Sequence, residues 1–230
     1  MDYWWCDCSE PFEADWTGAV RLTAEDRARL NVAEAQKYVD PTLVNHYSLA
    51  HTRGIYEGQR TATDRRRVVT LTRSSSFGQP RYGTFAWSGD VAATWQVLRD
   101  QIPAALNLSI TAQPYWTFDI GGFFVRRDPT AWFWDGDFDD GVADLGYREL
   151  YVRWLQVGAF LPMFRSHGTD TPREPWRFGE AGEPFYDAIV AAIELRASLL
   201  PYIYALAASA HFEGLPLLRH VGFEAPTGTN

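Results

Sequence analysis

Short aromatic or β-branched runs alternate along this chain with longer stretches of helical spacing. The run DYWWC at residues 2–6 stops at Asp7, and Pro11 cannot extend a strand. It reads as a buried strand of a parallel sheet, with Asp7 at its carboxyl end in a pocket walled by Trp4 and Trp5. Thr23 and Asp26 resemble a capping box, which predicts a helix reaching about residue 39. A second helical stretch runs from Pro41 to Gly58, and residues 68–72 form an apolar, β-branched strand. A Ser, Gly and Pro-rich loop leads into a strand over 82–87, again followed by an acid, Asp90. Apolar residues at 93, 97, 98, 102 and 106 predict a helix over 92–105. A strand over 106–112 follows, then residues 116–122, a helix over 145–160, a strand over 161–165 and an amphipathic helix over 185–213 closed by Gly214. Strands alternating with helices mean an α/β fold on a parallel sheet.

Composition narrows the classes. Hydrophobic residues at 46% and aromatics at 15% exclude a disordered chain. Ten tryptophans fit a large aromatic core or sugar-ring platforms, and Trp4, Trp95 and Trp154 are assigned to the core. A net charge of −8 leaves no electrostatic footprint for nucleic acid, and Arg65, Arg66 and Arg67 read as a solvated helix end. No apolar run reaches about 18 residues, so no transmembrane helix is expected. Cys6 and Cys8 are the two cysteines, and no second Cys or His cluster has the spacing of zinc ligands.

The candidate chemistry lies at regular places. Asp7, Arg73, Asp90, Asp119 and His167 each follow the end of a different predicted strand. In a (β/α)8 barrel those ends converge on one face, where catalytic groups gather. Two acids delivered behind aromatic runs suggest a nucleophile and a general acid.

The motifs WCDCSEP (5–11), LTRS (71–74), QPRY (79–82), WSGD (87–90), DIGGF (119–123), ELYVRW (149–154), FRSHG (164–168), PW (175–176) and LLPYIY (199–204) occur in this order. With them the chain resembles glycoside hydrolase family 31, the retaining α-glycosidases that include α-glucosidases and α-xylosidases. The resemblance implies Asp7 as nucleophile and Asp90 as general acid/base. It implies Trp5, Arg73, Trp87, Asp119, Phe123 and His167 as the lining of the subsite for the non-reducing sugar, an α-linked glucosyl or xylosyl residue of an oligosaccharide or α-glycoside. Arg73 can pair with Asp7 and still donate to sugar hydroxyls, and Trp87 can give Asp90 an apolar setting. No metal or organic cofactor is needed. Glu10 is read as an acid at a helix N-terminus in preference to a supporting partner of the site residues, and the Glu149–Trp154 match as packing.

Two departures from the family pattern stand out. Residues 124–148 form a longer stretch than the family leads one to expect, with Trp132, Trp134 and the acidic run DGDFDDG at 135–141. Its glycine falls one place late for a calcium loop and Gly146 stands where Glu belongs, which favours an aromatic-lined lid over the leaving-group side. The chain also starts late: Asp7 would end barrel strand four. The expectation is therefore a TIM-type barrel represented by about strands four to eight (residues 1–220), without its earlier strands or flanking β-domains, and with residues 221–230 opening a linker. Such a fragment says nothing of localisation or oligomeric state. The competing readings are an α-glycosyltransferase using the same intermediate and an inactive fragment or non-catalytic carbohydrate-binding relative.

Overall fold

The computed structural model of the protein describes residues 3–10 and 20–223. Pro11 and the last part of the expected linker, residues 224–230, lie outside the described residues. Four strands form one sheet in sequence order, every pair parallel: β1 (Trp4–Cys6), β2 (Thr70–Thr72), β3 (Thr84–Trp87) and β4 (Trp116–Thr117). The register sets Trp5 beside Leu71, Leu71 beside Phe85 and Ala86 beside Trp116. All carboxyl ends therefore point the same way, and the residues that leave them share one rim.

Helices fill most crossovers. α1 (Ala24–Ala35) starts where expected, with Thr23 Oγ1 accepting from the Asp26 backbone N–H. A 3-10 segment (Pro41–His46) leads into α2 (Tyr47–Ala62), which passes through Gly58 rather than stopping there. A Cβ at Gly54 or Gly58 would meet nothing within 4 Å, so neither glycine marks a break. Between β2 and β3 a 3-10 turn (Gln79–Tyr82) takes the place of an α-helix.

α3 (Trp95–Ser109) corrects the expected strand over 106–112. Alternation in Leu106 to Ile110 suits a strand, but the buried positions Leu98, Gln101, Ala105 and Ser109 continue a helical stripe through it. Trp95, at the helix start, is 38% exposed and not a core residue. The strand expected over 161–165 is absent among the described residues. Pro162 withholds a ladder donor there, and the segment touches the sheet edge through Thr117 Oγ1 to the Met163 carbonyl and the Ile120–Ser166 bridge.

The core lies where β3 and β4 meet α3, α4 (Leu145–Gly158) and α5 (Pro184–Glu213). Trp154, Tyr147, Leu150 and Ile120 are fully buried, and Phe118 stands edge-on to both Trp116 and Trp154. No uninterrupted apolar run spans α5, since Asp187, Glu194 and Arg196 lie within it, yet by length and composition the helix is long and apolar enough to cross a membrane. Its Arg196 side chain donates to the carbonyls of Ala159, Leu161 and Pro162, which ties the helix to the 159–162 turn.

The turn after β4 depends on glycine. Gly121 and Gly122 have φ of 90° and 75°, and a Cβ at Gly122 would sit 2.6 Å from backbone atoms of Ala93. Gly122→Ala combines a left-handed backbone with a backbone clash, and is expected to lower stability by about 2 kcal/mol or more. Denaturant unfolding of both proteins checks this; an unchanged midpoint would show the turn to be tolerant.

Candidate active site

Asp7 leaves β1, Arg73 leaves β2, Asp90 follows β3 and Asp119 follows β4, so the parallel register brings them to one rim. The centre is Arg73, whose side chain is 5% exposed. Its Nη1 stands 3.3 Å from Asp7 Oδ1 and donates to Asp90 Oδ2 at 3.1 Å, while Nε donates to Glu10 Oε1 at 2.6 Å. Glu10 thus pairs with Arg73, and the residues that follow it lie outside the described residues. Asp7 is 44% exposed at its side chain, not enclosed between Trp4 and Trp5. Trp4 turns away, its Nε1 donating to Gln59 on α2.

Ser9 fixes this geometry. It is 4% exposed; its Oγ bonds Thr72 Oγ1 at 2.6 Å and accepts from the backbone N–H groups of Arg73 and Ser74. Ser74 Oγ donates back to the Ser9 carbonyl at 2.6 Å. The turn after β1 is thereby stapled to the turn after β2. Cys8, at φ 49°, completes it, with Arg73 Nη2 directed at its sulfur.

A second group lies beside the first. Asp119 is fully buried and paired with Arg165, whose guanidinium covers the Trp87 ring at 5.1 Å and the Trp5 ring at 6.0 Å. His167 sits between Trp5, at 5.2 Å edge-on, and Phe123, at 5.5 Å. Among the described residues, Asp119 Oδ2, Arg165 Nη2 and Trp87 Nε1 are buried and without a hydrogen-bond partner. Buried polar atoms without partners are rare in native proteins, and here an acceptor and two donors lie beside aromatic walls. Such a surface is suited to a polyhydroxylated ring. Arg173 supports it from behind, donating to the carbonyls of Gly122 and Thr171.

Electrostatics separates the groups. Burial raises Asp90, with Arg73 pulling the other way and Asp7 adding to the rise. Burial also pushes Asp119 up to about 7 against the pull of Arg165. His167 is pushed down to about 4 by burial, then by Arg165 and Arg173, so it is a neutral imidazole near pH 7.

The 124–148 stretch spends its acids internally. Arg127 pairs with Asp135 and Asp137 and its backbone N–H donates to Asp139. No group of three or more potential metal ligands occurs among the described residues. Its ring contacts run from Phe123 through Phe124 to Phe133 and Trp134, and Trp132 lies under the guanidinium groups of Arg21 and Arg27 near α1.

The profile of the glycosyl hydrolases family 31 TIM-barrel domain matches residues 1–206. The chain belongs to that family. It is 40% identical over 219 residues to an alpha-xylosidase of Saccharolobus solfataricus, covering 95% of this chain and 26% of the relative. It is 33% identical over 225 residues to neutral alpha-glucosidase C of Homo sapiens, covering 96% of this chain and 21% of that protein. The crystal structure of a family 31 alpha-xylosidase from Xanthomonas citri superposes with a TM-score of 0.78 at 35% identity, covering 99% of this chain and 23% of that one. This family 31 chain spans about a quarter of the length of the relatives it matches.

Sequence reasoning placed the strand-end residues but missed Ser9, Arg165 and Arg173. Ser9 lies inside the first family motif, and Arg165 is the basic residue two places before His167, so both were within reach. The depressed His167 has a testable sign. An unfolded imidazole takes its proton near 6.5 and the folded one only near 4, so stability is complete above about 6.5 and falls as pH drops toward 4. Imidazole NMR should place the folded midpoint near 4; a midpoint near 6.5 would show that the ring is hydrated.

Proposed function

We propose that residues 1–220 represent about strands four to eight of a catalytic (β/α)8 barrel and that the rim is the active site of a retaining α-glycosidase. Its substrate is a non-reducing terminal α-linked glucosyl or xylosyl residue. The observation that carries the reading is the sharing of one nitrogen, Arg73 Nη1, by Asp7 and Asp90. Oxygens that share one nitrogen at 3.3 and 3.1 Å hold the two carboxyl groups near one another, which supports a retaining pair over the roughly 6.5–9.5 Å that admits a water between inverting carboxylates. Retaining chemistry needs the shorter separation. The relatives named alpha-xylosidase and alpha-glucosidase support the substrate class.

In this reading Asp7, exposed toward the open rim, attacks the anomeric carbon as the bond to the leaving oxygen breaks. Asp90 gives its proton to that oxygen, which suits a carboxyl raised by burial. Water then attacks the glycosyl ester, returns a proton to Asp90 and frees Asp7, and both displacements together retain configuration. Asp119, His167, Trp87 and Arg165 hold the sugar's hydroxyls, and Trp5 and Phe123 flank its ring.

In the native polypeptide, Asp7→Ala should abolish turnover, and azide should restore it with release of a glycosyl azide of inverted configuration. A fluorinated glycosyl trap should label the peptide containing Asp7; labelling elsewhere would remove it as nucleophile. Asp90→Ala should slow substrates with poor leaving groups at least about a hundredfold more than activated aryl glycosides, which need little protonation. Equal losses on both would make Asp90 structural.

A further inference from the structure

Glu10 stands outside the chemistry just described, yet it lies closer to Arg73 than either Asp7 or Asp90 does. Among the described residues three carboxylates face this guanidinium, and their contacts are not equivalent. Asp7 and Asp90 share Nη1 at 3.3 and 3.1 Å, whereas Glu10 takes Nε at 2.6 Å. Nε lies where the planar fork joins its flexible stem, so gripping it fixes the direction in which both terminal nitrogens project. The stem is held at its other end as well, because the Arg73 backbone N–H donates to Ser9 Oγ. Ser9 and Glu10 are neighbours in the same turn as Asp7, so Arg73 is located by the segment that carries the proposed nucleophile.

We propose that Glu10 is a positioning residue: it aims Arg73 so that one nitrogen bridges Asp7 and Asp90, and its charge offsets that of Arg73 so that Asp90 can keep a proton. The inference rests on the proposed roles of Asp7 and Asp90. An exposed ion pair would be worth little, but this pair is 5% and 23% exposed, where a charge is felt strongly by its neighbours. Among the described residues, the charged groups acting on Asp90 come from the other three strand ends. Arg73 stands after β2, Asp7 and Glu10 after β1, and Asp119 after β4 with Arg165 paired behind it. Arg73 draws a proton off Asp90, while the charges of Asp7 and Glu10 push the other way. Removing the Glu10 charge removes one push and frees more of Arg73 to pull, so both changes lower the Asp90 titration.

Glu10→Gln keeps an acceptor for Nε and deletes the charge; Glu10→Asp keeps the charge and withdraws it by one carbon. In the native polypeptide, carbon NMR of aspartate carboxyls, with Asp90 identified by the signal lost in Asp90→Asn, reads the titration directly. Glu10→Gln should move the Asp90 midpoint and the basic limb of the kcat/KM profile down by about one pH unit, and Glu10→Asp should restore most of it. Glu10→Asp should also displace the Arg73 Nε–H resonance, since the grip is re-aimed. A Glu10→Gln protein with wild-type thermal stability and an unmoved Asp90 midpoint would overturn the proposal. Should that variant not fold, an unmoved Arg73 Nε–H resonance in Glu10→Asp would do the same. Absence of turnover in the unsubstituted protein would count against the glycosidase reading, while the carboxyl titration would still decide the role of Glu10.

Discussion

One buried cation organises this molecule. Arg73 carries its guanidinium to 5% exposure, and a charge taken so far from water demands counter-charges at hydrogen-bond distance. Among the described residues, three carboxylates from two strand ends supply them. Asp90, the most buried of them at 14% exposure, is the carboxyl that burial raises, with Arg73 pulling the other way. Unequal burial beside one arginine thus makes two identical side chain types unlike each other.

The other half of the rim solves a similar problem differently. Fully buried Asp119 pairs with the largely buried Arg165, yet among the described residues one oxygen and one nitrogen of the pair stay unused, beside the equally unused Trp87 indole N–H. A pair that satisfied itself completely would be inert. This one retains hydrogen-bonding capacity in a site walled by Trp5, Phe123 and a neutral imidazole. The Gly121–Gly122 turn and the Arg173 tether behind it keep that capacity aimed, because bulk at either glycine would push into Tyr151 or Ala93.

The alternation of strands and helices was legible in the chain because each strand-end acid follows a run of aromatic or β-branched residues. The helix start at Thr23 and the stop at Gly214 were legible too, since capping chemistry is local. Residues 106–112 misled because a five-residue alternation is indistinguishable from the end of a helical stripe until Leu98, Gln101 and Ala105 are seen buried in line with it. Residues 161–165 misled because β-propensity does not count the ladder bonds that Pro162 removes. The Glu10–Arg73 pair was illegible for a different reason: the partners lie 63 residues apart, and no local pattern reports a contact made across a sheet.

That separation also orders the assembly of the site. Asp90 is 17 residues from Arg73, whereas Glu10 is 63 away and the Ser9–Thr72 bond closes an equally long loop. Closing the longer loop costs about 1 kcal/mol more in chain entropy. The β2–β3 half, with Arg73 and Asp90, can therefore collapse as a near-neighbour unit before β1 arrives. Because β1 carries Ser9, Glu10 and Asp7 together, the staple, the Nε contact and the second bridged acid of Arg73 all depend on the docking of that one strand.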